Sequence, residues 1–389
     1  MRTTAFARIA YIAPRYIPYT GGVQTHVAQL ARRAAAHGCH VEVLTQECDR
    51  SLPAVEVVDG VMVRRFPVWV PGQTYTMAPG LWAYLARHPT RYDVVHAHSY
   101  HAWPALGAAL AGCRPLVFTP HYHGTGHSRL RRWLHVPYRA LGAAIFRRSN
   151  RVICVSDAEA ALVRRHFPHV VGRVSVIPNG VDVGALREAA PYPKERTVIL
   201  SVGRLEEYKN VHVTIQALAH LDATFVLRVI GDGPARPALE ALVTRLGLQE
   251  RVECLGQVDE IRLYRWFRTA AVHVSMSSHE AFGITLLEAL AAGSGVVAAD
   301  IPAYREIARS TGSPAIALVP LDTSPVALAR VIRDAVARGA QITVMPQLLS
   351  WDEVAAQTIS IYRAVVRPSV RCVEATQTGR HPWGSDRGA

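Results

Sequence analysis

The sequence predicts an α/β protein of two doubly wound domains facing across a cleft. Three observations carry that reading. At 389 residues the chain exceeds one ordinary core, since a domain holds roughly 100–200 residues. Strand-like and helix-like segments alternate along it, the pattern of a parallel sheet covered on both faces. The alternation stops once, where VIPNGVDV at 176–183 sets Pro, Asn and Gly together as a turn, and then restarts. Hydrophobic residues make up 50% of the chain, enough to fill two cores.

Taken in order, residues 8–13 read as a strand, 19–22 as a Gly-containing loop, about 23–37 as an amphipathic helix and HVEVLT at 40–45 as a second strand. DVVHAH (93–98), PLVFTP (115–120) and RVICVS (151–156) are further strands with helical patterns between them. Residues 1–178 thus form an N-terminal Rossmann-like domain. The second, 179–350, opens on the strand TVILSVGRL and continues through the helix NVHVTIQALAHL and the strand TFVLRVIGDGP. PALEALVTRLGL is its next helix, RVECLGQV and AVHVSMSS its next strands. A helix from about 284 to 292 and the strand GSGVVAAD follow. A last helical pattern spans 351–366, and from 368 a tail with Pro382, Gly384 and Gly388 is expected to be disordered. Two such domains leave a cleft at the carboxyl ends of their strands, where open α/β sheets place ligands.

Composition narrows the class. The apolar run ALGAALAG at 105–112 falls short of the roughly 20 residues a spanning helix needs. The start of the chain breaks its apolar run at Arg8, Pro14 and Arg15 and reads as a first strand, not a signal peptide. Six scattered cysteines (Cys39, Cys48, Cys113, Cys154, Cys254, Cys372) show no C-x-x-C spacing and suit a reducing cytoplasm. All of the net charge is N-terminal: residues 1–178 hold 21 Arg and no Lys against 8 acids, a net +13, while 179–389 sum to zero. Much of it lies in Arg129, Arg131, Arg132, Arg139, Arg147, Arg148 and Arg151, with Trp133 and Tyr138 interleaved. A membrane surface, a phosphorylated acceptor or nucleic acid would each suit it, and a solvated helix face is the plainer alternative.

SSHEAFGITLLEALAAG at 277–293 places Glu280 and Glu288 on either side of a Gly. If a helix starts just after Gly283, the N–H groups of Phe282, Gly283 and Ile284 make an anion site for a pyrophosphate. Glu280 can then accept hydrogen bonds from sugar hydroxyls and Glu288 from ribose hydroxyls. Such a pair on an amphipathic helix is otherwise solvated or capping, so context decides. That context is SVGRLEEYKN at 201–210, where a strand delivers Arg204 and Lys209 into the cleft, two cations able to neutralise a diphosphate leaving group. Only two Lys occur in the chain, Lys194 and Lys209. A surface loop paired with Glu206 and Glu207 is the alternative. Gly21 and Gly22 stand at a strand-to-helix turn where backbone can approach a ligand, or simply turn.

GDGPAR at Gly231 lacks the third Gly of a dinucleotide fingerprint, and no P-loop occurs, which argues against a dehydrogenase or P-loop NTPase. His96, His98 and His101, and His121, His123 and His127, are joined by no carboxylate or Cys at ligand spacing, so no metal site is expected. His121, ending a strand at the cleft, is the candidate to hydrogen-bond the donor sugar or polarise the reacting centre. His98 would sit beside it or be a satisfied histidine at a strand end.

In order and spacing, GGVQTHV, PHYHG, IPNGVDV, SVGRLEEYKN, IGDGP and HEAFGITLLEALAAG resemble glycosyltransferase family 4, retaining enzymes of the GT-B fold, over about residues 8–367. The resemblance implies that Arg204 and Lys209 bind the diphosphate, Glu280 the sugar hydroxyls and Glu288 the ribose. It also makes Gly21 and Gly22 the loop over the β-phosphate and His121 the active-site histidine. Gly231 joins the donor-binding set, and the strand around Gly256 offers backbone groups to the base. Gly295, where the family often has Pro, and His279 before Glu280 are departures that touch none of these roles.

The acceptor hydroxyl would attack from the face the nucleotide leaves, and the departing phosphate would take the proton. No cofactor or divalent metal is required, since the nucleotide-sugar is a substrate. The final helix, 351–367, would pack back on the N-terminal domain, anchored by Trp351. Expected partners are a GDP- or UDP-sugar, with mannose favoured by resemblance alone, and a lipid-linked or oligosaccharide acceptor. The Arg-rich patch suggests docking on the anionic inner face of the plasma membrane. A nucleotide-sugar 2-epimerase of the same fold is the first alternative, and the Arg204/Lys209 loop argues against it. A non-catalytic nucleotide-sugar- or RNA-binding protein is the second; nucleic acid is not expected, because low-complexity basic tracts are absent.

Overall fold

A computed structural model describes residues 8–19, 21–69, 76–100, 103–122, 142–193, 196–339 and 348–366. The tail from 368, Arg129, Arg131, Arg132, Trp133, Tyr138, Arg139, His101, His123, His127, Lys194 and Cys372 lie outside the described residues.

The first sheet holds β1 (Arg8–Ala13), β2 (His40–Glu47), β3 (Val55–Val58), β4 (Val61–Pro67), β5 (Val94–His98), β6 (Leu116–Thr119), β7 (Arg151–Cys154) and β8 (Val174–Val176). Their order is β3-β4-β2-β1-β5-β6-β7-β8, parallel except for β3 with β4. Helices α1 (Gly22–Ala36), α2 (Pro79–Arg87), α3 (Trp103–Leu110) and α4 (Asp157–His166) lie between these strands in the chain. After α5 (Val183–Glu188) comes an all-parallel second sheet of β9 (Thr197–Val202), β10 (Phe225–Ile230), β11 (Val252–Gly256), β12 (Val272–Ser275), β13 (Gly295–Ala299) and β14 (Ile316–Val319), ordered β11-β10-β9-β12-β13-β14. Its helices are α6 (Val211–Leu218), α7 (Arg236–Arg245), α8 (Glu260–Thr269), α9 (Ile284–Ala291), α10 (Pro302–Thr311) and α11 (Pro325–Gly339), and α12 (Trp351–Val365) follows. The chain is thus α/β with two doubly wound sheets. Among the described residues no helix is long and apolar enough to cross a membrane.

Strand order reverses at β1/β5 in the first sheet and at β9/β12 in the second. Loops leaving adjacent strands at such a point diverge and open a crevice at the carboxyl end. Helices cover both faces of the central strands there: all five residues of β13, an unbroken apolar run, are buried, and so are all five of β5, His96 and His98 among them.

The hairpin β3–β4 goes unread in the sequence analysis. Its signal is Asp59-Gly60, both at positive φ (52° and 76°), the two-residue turn whose twist suits a hairpin. Helix α12 packs against α1, closed at its start by a Ser350–Glu353 capping box. Its Tyr362 hydroxyl lies 2.6 Å from His96 Nδ1 and donates to the Tyr11 hydroxyl at 3.1 Å, both in the first sheet. Trp351 is 2% exposed. The segment joining the sheets meets the start of α12 closely: Val181 pairs with Ser350, and a Cβ on Gly180 would stand 2.6 Å from the Trp351 nitrogen.

Candidate active site

In the second sheet the loops after β9 and β12 are zipped together at the switch point. The Ser278 N–H donates to the Tyr208 carbonyl at 2.9 Å, and Asn210 Nδ2, from a residue in the left-handed region (φ 51°), donates to the Met276 carbonyl at 3.0 Å. This brings Lys209 Nζ onto Glu280 Oε1 as a short ion pair, with side chains 17% and 18% exposed. Tyr304 of α10, which the sequence analysis missed, donates its hydroxyl to Glu280 Oε1 at 3.3 Å and lies 2.7 Å from Ser275 Oγ. Lys209 also sits 5.5 Å from the centre of the Tyr208 ring. Burial is the strongest single influence and opposes its ammonium, but Glu280, Tyr208 and Glu206 together outweigh it and its pKa is raised, so it is a held cation.

Arg204 Nη2 is 3.0 Å from Glu206 Oε1, and a small cavity between Arg204, Lys209, Gly203, Ser201 and Ser275 opens beside them. The floor depends on glycine. Gly231 has φ 125°, and a Cβ there would lie 2.1 Å from the Gly203 carbonyl oxygen. Gly231→Ala is expected to destabilise the protein by more than ~2 kcal/mol, read as a lower urea midpoint, because backbone must move on both sides. An unchanged midpoint would count against this close approach.

Helix α9 starts at Ile284 as read from the sequence, with Gly283 (φ 114°) at its N-cap and neither a capping side chain nor an acid in its first turn. The positive end of its dipole, uncapped by side chains of the described residues, can receive an external anion. A Cβ on Gly283 would stand 2.6 Å from the Tyr304 ring, so Phe282, Gly283 and Ile284 are fixed beside the Glu280 pair. Glu288, one turn into α9, is 8% exposed. Burial foremost, then the Glu260 carboxylate, pushes its pKa up to about 8. Relative to an unfolded value of 4.5, the folded chain keeps a proton the unfolded chain releases, so stability falls as pH rises from about 4.5 to about 8. Glu288→Gln is therefore expected to raise the Tm at pH 8 relative to the wild type and to leave it nearly level at pH 4.5. Equal Tm shifts at the two pH values would refute the assignment.

In the first sheet His121 follows β6 at φ 48° and is 8% exposed. The next N–H, of Tyr122, donates to Glu159 Oε1 at 2.5 Å, and the Val155 N–H donates to Glu159 Oε2 at 2.7 Å. Burial raises the Glu159 pKa to about 8 against the pull of those two N–H groups. Glu159 belongs to the first turn of α4, whose Ser156 cap accepts the Glu159 N–H at 3.0 Å. The Ser156 hydroxyl donates to the Ala281 carbonyl at 2.7 Å, and Glu306 of α10 accepts the N–H groups of Asp157 at 2.7 Å and Ala158 at 2.9 Å. One helix start thus ties the His121 loop to the residue beside Glu280. The S-x-x-E spacing at 156–159 was the available sequence signal.

The histidines regroup in space. His98 and His121 come together, with ring centres 5.8 Å apart, and His26 of α1 joins them at 5.3 and 5.2 Å. Gly21 precedes α1 and Gly22 opens it; a Cβ on Gly22 would meet none of the described residues within 4 Å, so no contact among them demands its small size. Gly256 (φ 68°) accepts the Gly231 N–H at 2.8 Å. No hydrogen bond among the described residues joins Gly21, Gly22, Gly256 or Glu288 to the Lys209–Glu280 pair.

Two family models match: Glycosyltransferase Family 4 over residues 20–185 and Glycosyl transferases group 1 over 182–341. The chain is 32% identical to the phosphatidyl-myo-inositol mannosyltransferase of Mycobacterium leprae, over 92% of this chain and 97% of that one. It is 30% identical to a D-inositol 3-phosphate glycosyltransferase of Xylanimonas cellulosilytica, over 88% and 91%. Among solved structures, a sucrose-phosphate synthase from Thermosynechococcus elongatus matches with TM-score 0.75 at 24% identity, covering 92% of this chain and 98% of that one. Anabaena HepE in complex with UDP and glucose matches with TM-score 0.70 at 18% identity, covering 92% and 100%; both likenesses concern the fold alone.

Proposed function

We propose that this chain, which belongs to glycosyltransferase family 4 and is a glycosyltransferase of GT-B architecture, transfers a sugar from a GDP- or UDP-sugar to an acceptor hydroxyl with retention of anomeric configuration. The observation that carries the donor half is the Lys209–Glu280 pair, set beside Arg204 and the uncapped start of α9. Lys209, Arg204 and the α9 N–H groups take up the charge that grows on the departing diphosphate. Glu280, with Tyr304 behind it, accepts sugar hydroxyls, Glu288 accepts the ribose, and Gly21 and Gly22 close over the β-phosphate. His121 meets the sugar from the other sheet. The leaving phosphate takes the acceptor proton on the same face, and the reaction needs no cofactor or divalent metal. Closure excludes water, whose attack would waste the donor.

Mannose is favoured as the sugar, in line with the mannosyltransferase among the relatives. A lipid-linked acceptor at the cytoplasmic face of an anionic membrane fits the +13 charge of residues 1–178, as does an oligosaccharide.

Calorimetric titration of the purified chain with UDP, GDP and ADP tests the donor reading. One nucleotide is expected to bind, and Glu288→Ala and Lys209→Ala each to weaken it at least 10-fold. Binding of none by a folded chain would remove the basis for the proposal.

A further inference from the structure

Three buried imidazoles meet where α1, β5 and the residues after β6 converge. One ring nitrogen from each of His26, His98 and His121 lies within 4.8 Å of the other two. The residues are 2%, 0% and 8% exposed. Asn179 Oδ1 can only accept, so the 2.6 Å contact with His26 Nδ1 puts the proton on that nitrogen. The lone pair is then on His26 Nε2, which has no hydrogen-bond partner among the described residues. Neither nitrogen of His98 has one there either. Buried ring nitrogens are seldom left so, because nothing repays the water they lose.

The donor set defines what would satisfy them. Burial drives the His26 pKa down to about 4 and that of His98 well below its ordinary value, so both rings are neutral, the form that ligates metals. Three imidazole nitrogens without a carboxylate suit a borderline cation such as zinc and not magnesium or calcium. The Asn179 contact is the second-layer hydrogen bond that fixes the tautomer and orientation of a ligating histidine. Zinc–nitrogen bonds of about 2.0–2.1 Å place donors ~3.4 Å apart, so binding requires side-chain torsions to draw the rings inward.

We propose that His26, His98 and His121 form a binding site for a divalent cation of the zinc class, and that its occupancy withdraws His121 from the sugar and inhibits transfer. The inhibition half rests on the function proposed above; the binding half does not. The chain then needs no metal to act and has a place where one stops it.

The test uses the full chain after treatment with a chelator, titrated with Zn²⁺ against a chromophoric competitor, and with Co²⁺ for its visible spectrum. One equivalent is expected to bind wild-type chain and His220→Gln, a control on an exposed histidine. His26→Gln and His98→Gln should bind at least 10-fold more weakly. Equal binding by all four would assign the metal to scattered surface sites and overturn the proposal. No binding by folded wild-type chain would also overturn it, leaving a bridging water as the partner. If a variant does not fold, the wild-type Co²⁺ spectrum decides: intense four-coordinate bands support the site, and a pale six-coordinate spectrum refutes it. Zn²⁺ should also abolish donor turnover reversibly. Binding without inhibition would overturn the second half alone, whereas failure of nucleotide binding in the calorimetric test would leave the metal site standing.

Discussion

Lys209→Met is expected to lower kcat/KM for the donor by ~100- to 1000-fold, the loss seen when one preorganised charge-stabilising donor is removed from a site. The effect should fall on kcat as well as on nucleotide binding, because the leaving group's charge grows toward the transition state. The same substitution strands Glu280, a carboxylate only 18% exposed, without its cation. Breaking one side of such a pair costs about 3 kcal/mol, and Lys209→Met/Glu280→Gln should recover much of that stability while recovering no activity. Urea unfolding of the two singles and the double measures the first quantity, and donor turnover the second. Additive losses of stability would mean that the two groups do not act as a pair.

Glu306→Ala has a different signature. Its carboxylate accepts two N–H groups at the start of α4, and that helix start holds both the His121 loop, through Glu159, and the Ala281 carbonyl, through Ser156. Losing the clamp leaves each half of the site intact but misplaced relative to the other, and misplacement on the scale of 1 Å costs up to ~100-fold. A ~10- to 30-fold fall in kcat is expected for Glu306→Ala combined with Ser156→Ala, with nucleotide affinity nearly unchanged and Glu306→Gln restoring part of the rate. Loss of nucleotide affinity in equal measure would place the damage in the donor site and not in the alignment of the halves.

Much of the architecture was legible because it rests on local pattern. The buried strand β13 is an unbroken apolar run, and the α9 start after Gly283 follows from a glycine that tolerates φ 114°. The Arg204 and Lys209 loop was legible as charge delivered from a strand end. Less legible were features that exist only between distant segments. Tyr304 reaches Glu280 across 24 residues, and Glu306 reaches α4 across 148. The histidines mislead for the same reason. HAHSYH and TPHYHGTGH group them by sequence, whereas the sheet takes one from each and adds His26 from α1. The Asp59-Gly60 turn, by contrast, was local and available, and marks a hairpin that counting α/β alternation passes over.

The close approach of Gly180 to Trp351 and the pairing of Val181 with Ser350 mean that the chain's two crossings between the sheets touch. Two tethers joined at one place act mechanically as a single pivot. Any opening of the cleft would then be rotation about that point, with displacement growing with distance from it like the swing of a door. Asn179 is next to Gly180 and carries the His26 hydrogen bond, so that contact lies at the jamb, where an opening chain moves least.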